Sequence, residues 1–142
     1  MRTNHLLFGR NAHPTPTDVG LLILRLFTGL ALALAHGWGK VPPQPGFVGM
    51  IGGMGLPAPE VFAWLAALAE FAGGLLLAVG LLTRPVAALI VGHFLFVVFL
   101  AHAGDPFADR ELPLFFLVSA LLFLLAGAGR YSADAVLSGR RV

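Results

Sequence analysis

The sequence predicts an all-α integral membrane protein, a bundle of four transmembrane helices, and three observations carry that expectation. Of 142 residues, 58% are hydrophobic and 11% charged, whereas ordinary soluble chains carry about a quarter charged residues. The apolar residues gather into runs of roughly 19–25, long enough at ~1.5 Å per residue to cross a hydrocarbon core ~30 Å thick. Clusters of Gly and Pro between Gly37 and Pro45, Gly55 and Pro59, Gly80 and Pro85, and Gly104 and Pro106 punctuate these runs.

The length suits one domain. The chain has no cysteine, which excludes a thiol nucleophile, a CxxC redox pair, a cysteine-held iron–sulfur cluster and any disulfide framework. Redox chemistry would therefore pass through a bound cofactor or substrate. The sequence pI is about 9.9, yet the formal charge is only +2. The basic residues sit at the ends of apolar runs, a pattern that sets membrane orientation and gives no reason to expect nucleic acid as a partner.

Residues 1–17 read as a flexible polar arm without the features of a cleavable signal peptide. The membrane domain covers residues 18–130. Its first span is expected over 18–38, with Thr17 or Asp18 as N-cap; Arg25 and His36 lie inside it. Gly37, Gly39, Pro42, Pro43 and Pro45 end it. The external loop 40–57 follows, in which Phe47 to Met54 is apolar enough for a short interfacial or re-entrant helix.

The second span, 58–82, carries a single acid near its midpoint, Glu70. One turn later, Gly73 and Gly74 leave a bare patch for a neighbouring helix or a second copy of the chain. The third span, 85–103, follows so closely that the two must be antiparallel neighbours; it holds His93 and ends at His102. The fourth span covers 110–128, with Pro113 tolerated in its first turn. Residues 131–142 form a polar tail. Arg2, Arg10, Arg84, Arg130, Arg140 and Arg141 fall on one side, against Lys40 and Arg110 on the other, so both termini are expected in the cytoplasm.

An unpaired carboxylate at Glu70, in the middle of a bilayer, costs several kcal/mol. Counted from the inner surface, Arg25 lies roughly 10 Å deep, His93 roughly 13 Å and Glu70 roughly 18 Å, so Arg25, Glu70 and His93 are expected to meet in one buried polar cluster. That cluster either fixes helix register or serves a functional pocket. A second layer nearer the outer surface gathers His36, His102, Glu60, Glu111, Lys40 and Asp105.

Within that outer layer, His36, His102 and Glu111 are the candidate catalytic groups. His36, Trp64, Phe94, His102 and Phe107 are the candidate walls of a small apolar-rimmed quinone site. Histidine titrates near neutrality, which suits proton-coupled quinone chemistry. Haem between facing histidines and a metal ion rank below quinone, because no single helix carries an HxxxH or similar ligand pattern, and no metal ligands are assigned.

Six stretches in order resemble the DoxX family of small four-helix membrane proteins. They are Arg25-Leu26 with Gly29 and His36-Gly37-x-x-Lys40; Gly55-Leu56-Pro57-x-Pro59; Glu70-x-x-Gly73-Gly74; Gly80-Leu81-Leu82-Thr83-Arg84; His102 with Glu111; and the closing run from Gly127 to Asp134, similar to a GPGRYSxD motif with Ala128 in place of Pro.

The resemblance implies a bacterial-type inner-membrane protein, similar to the membrane subunit of thiosulfate:quinone oxidoreductase. By that likeness it would be a quinone-linked oxidoreductase or its membrane subunit, in oxidative-stress or sulfur metabolism, with a soluble or membrane redox partner and a possible homo-oligomeric state. A scaffold for a partner enzyme and an oligomeric small-molecule transporter are the competing readings, since fold does not fix function.

Overall fold

The computed structural model describes residues 15–139. The arm before residue 15, and Arg140 and Arg141 of the expected charge bias, lie outside the described residues. Those residues fold as helices joined by short turns. Helix α1 runs over Thr15–Leu30 and continues as a π-helical segment, Ala31–Gly37, and a 3-10 turn, Trp38–Lys40. Helix α2 covers Pro45–Gly53, α3 Pro59–Val79, and α4 Thr83–Phe96 with a π-helical extension Val97–Ala101. Helix α5 covers Phe107–Ala126 and α6 the short Ala133–Leu137.

Three of these helices are long and apolar enough to cross a membrane: Pro16–Lys40, Pro59–Val79 and Thr83–Ala101. Helix α5 has 20 residues, about 30 Å at the usual rise. Asp109, Arg110 and Glu111 stand together within its first five residues, a charged start that sets it apart from the other three.

Helix α3 is the centre of the bundle, packing on α1, α2 and α4; α4 packs on α5, and α5 closes back on α1. The face of α1 that turns inward is a stripe at three- and four-residue spacing: Asp18, Leu21, Arg25, Thr28, Gly29, Leu32, Ala33 and Gly37 are all buried. The shared core contains Leu32, Leu77, Ile90, Phe94, Phe116 and Phe123. Large apolar side chains such as Phe27, Phe99, Val118 and Leu125 point outward, as a lipid-facing surface requires.

Small residues set the distance between α1 and α3. A Cβ added to Gly29 would lie 2.5 Å from the Gly74 carbonyl oxygen, and one on Gly37 would lie 2.5 Å from the Phe71 backbone nitrogen. Gly29, Ala33 and Gly37 recur every fourth residue; the first two meet Gly74 and Ala78 and the third the backbone at Phe71, the small-residue packing by which membrane helices bring their backbones together. The Gly74 face therefore serves packing within the chain.

Helix α1 already includes Thr15, so Thr17 and Asp18 lie within it and neither is its cap. Asp18 instead accepts from the Arg130 backbone N–H at 2.8 Å. Around it the segment 127–134 closes one end of the bundle as a clasp. Asp134 accepts from the backbone N–H groups of Leu82, at 2.7 Å, and Thr83, at 2.9 Å. It thereby satisfies the free donors at the start of α4 and holds Leu82 at φ 49°, an uncommon conformation for a residue with a side chain.

Candidate functional site

The expected meeting of Arg25 with Glu70 does not occur. Arg25 is buried beside the end of α3, eight to ten residues from Glu70, roughly 12–15 Å along that helix. Its Nε donates to the Ala78 carbonyl at 3.2 Å, one terminal nitrogen to the Ala128 carbonyl, and the other to the Tyr131 carbonyl at 2.6 Å. The planar guanidinium is suited to such a fan of acceptors. Gly80, at φ 73°, leaves the room: a Cβ there would stand 2.7 Å from an Arg25 nitrogen. The depth estimate fails because α1 starts beyond the end of α3, at the level of the clasp, so the two helices cannot be counted from one plane.

Glu70 has other partners. Lys40 Nζ lies 2.5 Å from Oε2, and His93 Nε2 lies 2.9 Å from Oε1. Three elements converge here. Gly37 lets α1 cross directly over Phe71, and the tight 3-10 turn Trp38–Lys40 then carries the lysine back above the carboxylate. His93 arrives from α4, its ring edge-on to Phe94 at 5.0 Å between centroids. The Glu70 side chain is 5% exposed, His93 10% and Lys40 29%, so the acid sits at the bottom and the lysine nearest the opening. Sequence reasoning assigned Lys40 to the outer layer. The signal that could have moved it was the four-residue repeat Gly29, Ala33, Gly37, which lays the whole end of α1 against α3.

These three groups form the charged end of a cavity of about 610 Å³ between α2, α3 and α4, within the range of small-ligand sites. Its remaining walls are mostly apolar. Phe47, Met50 and Ile51 of α2, with Met54 just after it, cover the cavity; Phe62 and Leu65 line it from α3, and Leu89 and Phe96 from α4. Met50, Leu65 and Leu89 are also exposed on the outer surface, so the cavity opens sideways, where the hydrocarbon would lie. Lys40 Nζ sits 5.4 Å from the centroid of the Phe47 ring, a cation–π distance that ties the covering helix to the charged end.

The other candidates scatter. His102 lines the same cavity, and its Nδ1 lies 2.7 Å from Asp105 Oδ2. His36 does not line it and packs edge-on against Phe116, with 5.4 Å between ring centroids. Phe94 is buried in the core, stacked on Phe116. Trp64 borders a separate hollow of about 420 Å³ with Pro43, Pro45 and Glu60. Phe107 is 70% exposed, and Glu111 is exposed in the second turn of α5. Of the five residues expected around a quinone, His102 alone lies on the cavity. Among the described residues, no group of three or more His, Asp or Glu side chains is arranged to hold a metal ion.

The inner membrane protein YqjF of Escherichia coli (strain K12) is 34% identical over 127 residues, covering 85% of this chain and 94% of the relative. The Bacillus subtilis (strain 168) protein named "Putative oxidoreductase CatD" is 28% identical over 118 residues, covering 82% of this chain and 86% of the relative. No solved structure matches. The model of the DoxX family matches residues 20–103, a stretch that holds Lys40, Glu70, His93 and every other wall of the cavity. This protein belongs to the DoxX family.

Proposed function

We propose that this DoxX-family protein is a multi-pass inner-membrane protein that binds a lipid-soluble quinone in the cavity between α2, α3 and α4, as a quinone-linked oxidoreductase or the membrane subunit of one. The observation that carries this reading is the cavity itself, about 610 Å³, apolar along its length, with Lys40, Glu70 and His93 at one end and exposed Leu65 and Leu89 at its rim. A ligand carried in the bilayer would enter past the two leucines. Its polar head would then rest where the charges are and its apolar part against Phe62 and Phe96. A quinone in this place would supply two-electron, two-proton chemistry.

The protein's own contribution is to orient the head and to hold protons beside it. Lys40 is a donor fixed in position by Glu70. His93 is a proton carrier in contact with the same carboxylate. His102, paired with Asp105, is a second titratable ring on the cavity wall. Phe47 and Met50 of α2, with Met54 just after it, shield the charged end from water, which strengthens each of these interactions.

The same reading takes α5 as a fourth span and puts both termini in the cytoplasm, following the sequence charge bias. The names of the two relatives, an inner membrane protein and one termed an oxidoreductase, support location and chemistry respectively. A photoreactive short-chain quinone tests the site. Labelling is expected on peptides from 47–54, 62–70 and 88–97; labelling confined to other peptides, with none on these, would reject the cavity as the binding place.

A further inference from the structure

Helix α4 carries a glycine, Gly92, that packing does not account for. Glycine weakens a helix interior relative to alanine, and membrane helices use it where a neighbouring backbone must come close. Gly29, Gly37 and Gly74 serve that purpose, since a Cβ on them would stand 2.5, 2.5 and 2.7 Å from backbone atoms of the facing helix. A Cβ on Gly92 meets no neighbouring segment within 4 Å, and the residue is exposed.

The space beside Gly92 is the cavity. Its wall on α4 is a stripe at helical spacing, and Gly92 stands inside it: Ala88 and Leu89 come one turn before, Phe96 one turn after, and His93 follows directly. From α3 the same cavity receives Ala66 and Ala69, so Ala69 adjoins Glu70 as Gly92 adjoins His93. Small residues thus border the charged end from both helices. Glycine is also the residue that lets a ligand approach a backbone closely. Resting on the quinone reading, we infer that Gly92 determines which head the cavity accepts. The quinone ring lies against the bare backbone of α4 there, with His93 at its edge, and the missing side chain leaves the width for a fused two-ring head of the naphthoquinone class.

Calorimetric titration of the purified full-length protein tests this with two probes of equal tail, decyl-benzoquinone and decyl-naphthoquinone. The wild type is expected to bind both. Gly92→Leu is expected to lose at least about tenfold in affinity for the naphthoquinone, the scale on which an apolar site reads added methylenes, and several-fold less for the benzoquinone. Gly92→Ala is expected to weaken the naphthoquinone alone, and to melt no lower than the wild type because alanine favours the helix. Gly20→Leu is the control: Gly20 on α1 has equally open surroundings and lies off the cavity, so both affinities should stay unchanged.

A folded Gly92→Leu protein that binds both probes as the wild type does overturns the inference and leaves the quinone site standing. Equal losses for the two probes overturn the discrimination by ring size, as does a wild type that binds only the benzoquinone. Where Gly92→Leu fails to fold, Gly92→Ala decides, and an unchanged ratio of the two affinities overturns the role of Gly92. Absence of binding of either probe to the wild type overturns the quinone reading itself.

Discussion

Lys40 Nζ lies 2.5 Å from Glu70 Oε2, joining the end of α1 to the middle of α3 at the charged end of an apolar cavity. Removing one member of a buried pair is costly because it leaves the other charge without its partner. The Lys40 side chain is 29% exposed, and His93 still contacts Glu70, so Lys40→Met is expected to cost about 1–3 kcal/mol, less than a fully buried pair. The double variant Lys40→Met with Glu70→Leu is expected to regain part of that loss. Thermal unfolding in detergent checks both, and a double variant less stable than either single one would contradict the pairing.

Arg25 donates to the carbonyls of Ala78, Ala128 and Tyr131, and so ties α1 and α3 to the clasp. Arg25→Met is expected to cost about 3 kcal/mol or more, through buried carbonyls left unpaired. Arg25→Lys recovers only part of this, because an ammonium lacks the planar fork. Protease nicking around 127–132 should rise in the same order.

Asp134 accepts from two backbone N–H groups at the start of α4. Asp134→Ala is expected to destabilise the fold by about 1–2 kcal/mol, the range for losing a helix cap. Hydrogen exchange should increase first at Leu82 and Thr83. Unchanged protection there would show that the cap is dispensable.

Gly37→Ala would press a methyl group onto the Phe71 backbone and force α1 away from α3. A cost of about 1–3 kcal/mol is expected, with weaker ligand binding as Lys40 is drawn off Glu70. Gly49→Ala on α2 meets open space and is the control, neutral or slightly stabilising because alanine favours the helix. Equal melting temperatures for the two variants would refute close approach at Gly37.

His36 and His102 are expected to part company. His36 packs on Phe116 away from the cavity, so His36→Ala lowers stability modestly and leaves quinone affinity unchanged. His93→Ala removes a direct Glu70 partner and is expected to weaken binding several-fold; His102→Ala, on the cavity wall, has a smaller effect. Titration of one ligand against the three variants decides the order.

The all-helical class and the membrane setting follow from the sequence alone. Composition and run length decide whether a chain can hide its backbone polar groups in lipid, and both are local properties. The breaks at Pro42 to Pro45, Gly80 to Pro85 and Gly104 to Pro106 are equally local, since Gly and Pro act where they stand. That Glu70 needed a partner was legible for the same reason: one acid in a long apolar run is anomalous wherever the helix sits.

Which cation answers it was not legible. Depth counted along each helix assumes a common starting plane, and α1 is displaced along α3 by the register of Gly29 and Gly37 against Gly74 and Phe71. That displacement sends Arg25 to the clasp and brings Lys40 to Glu70. The cavity likewise depends on α2 folding back over α3 and α4, a placement that no periodicity encodes. The sequence determined what kinds of helices form and that a buried charge had to be compensated; the tertiary structure decided which residues compensate it, because helix register is set by backbone contacts between segments far apart in the chain.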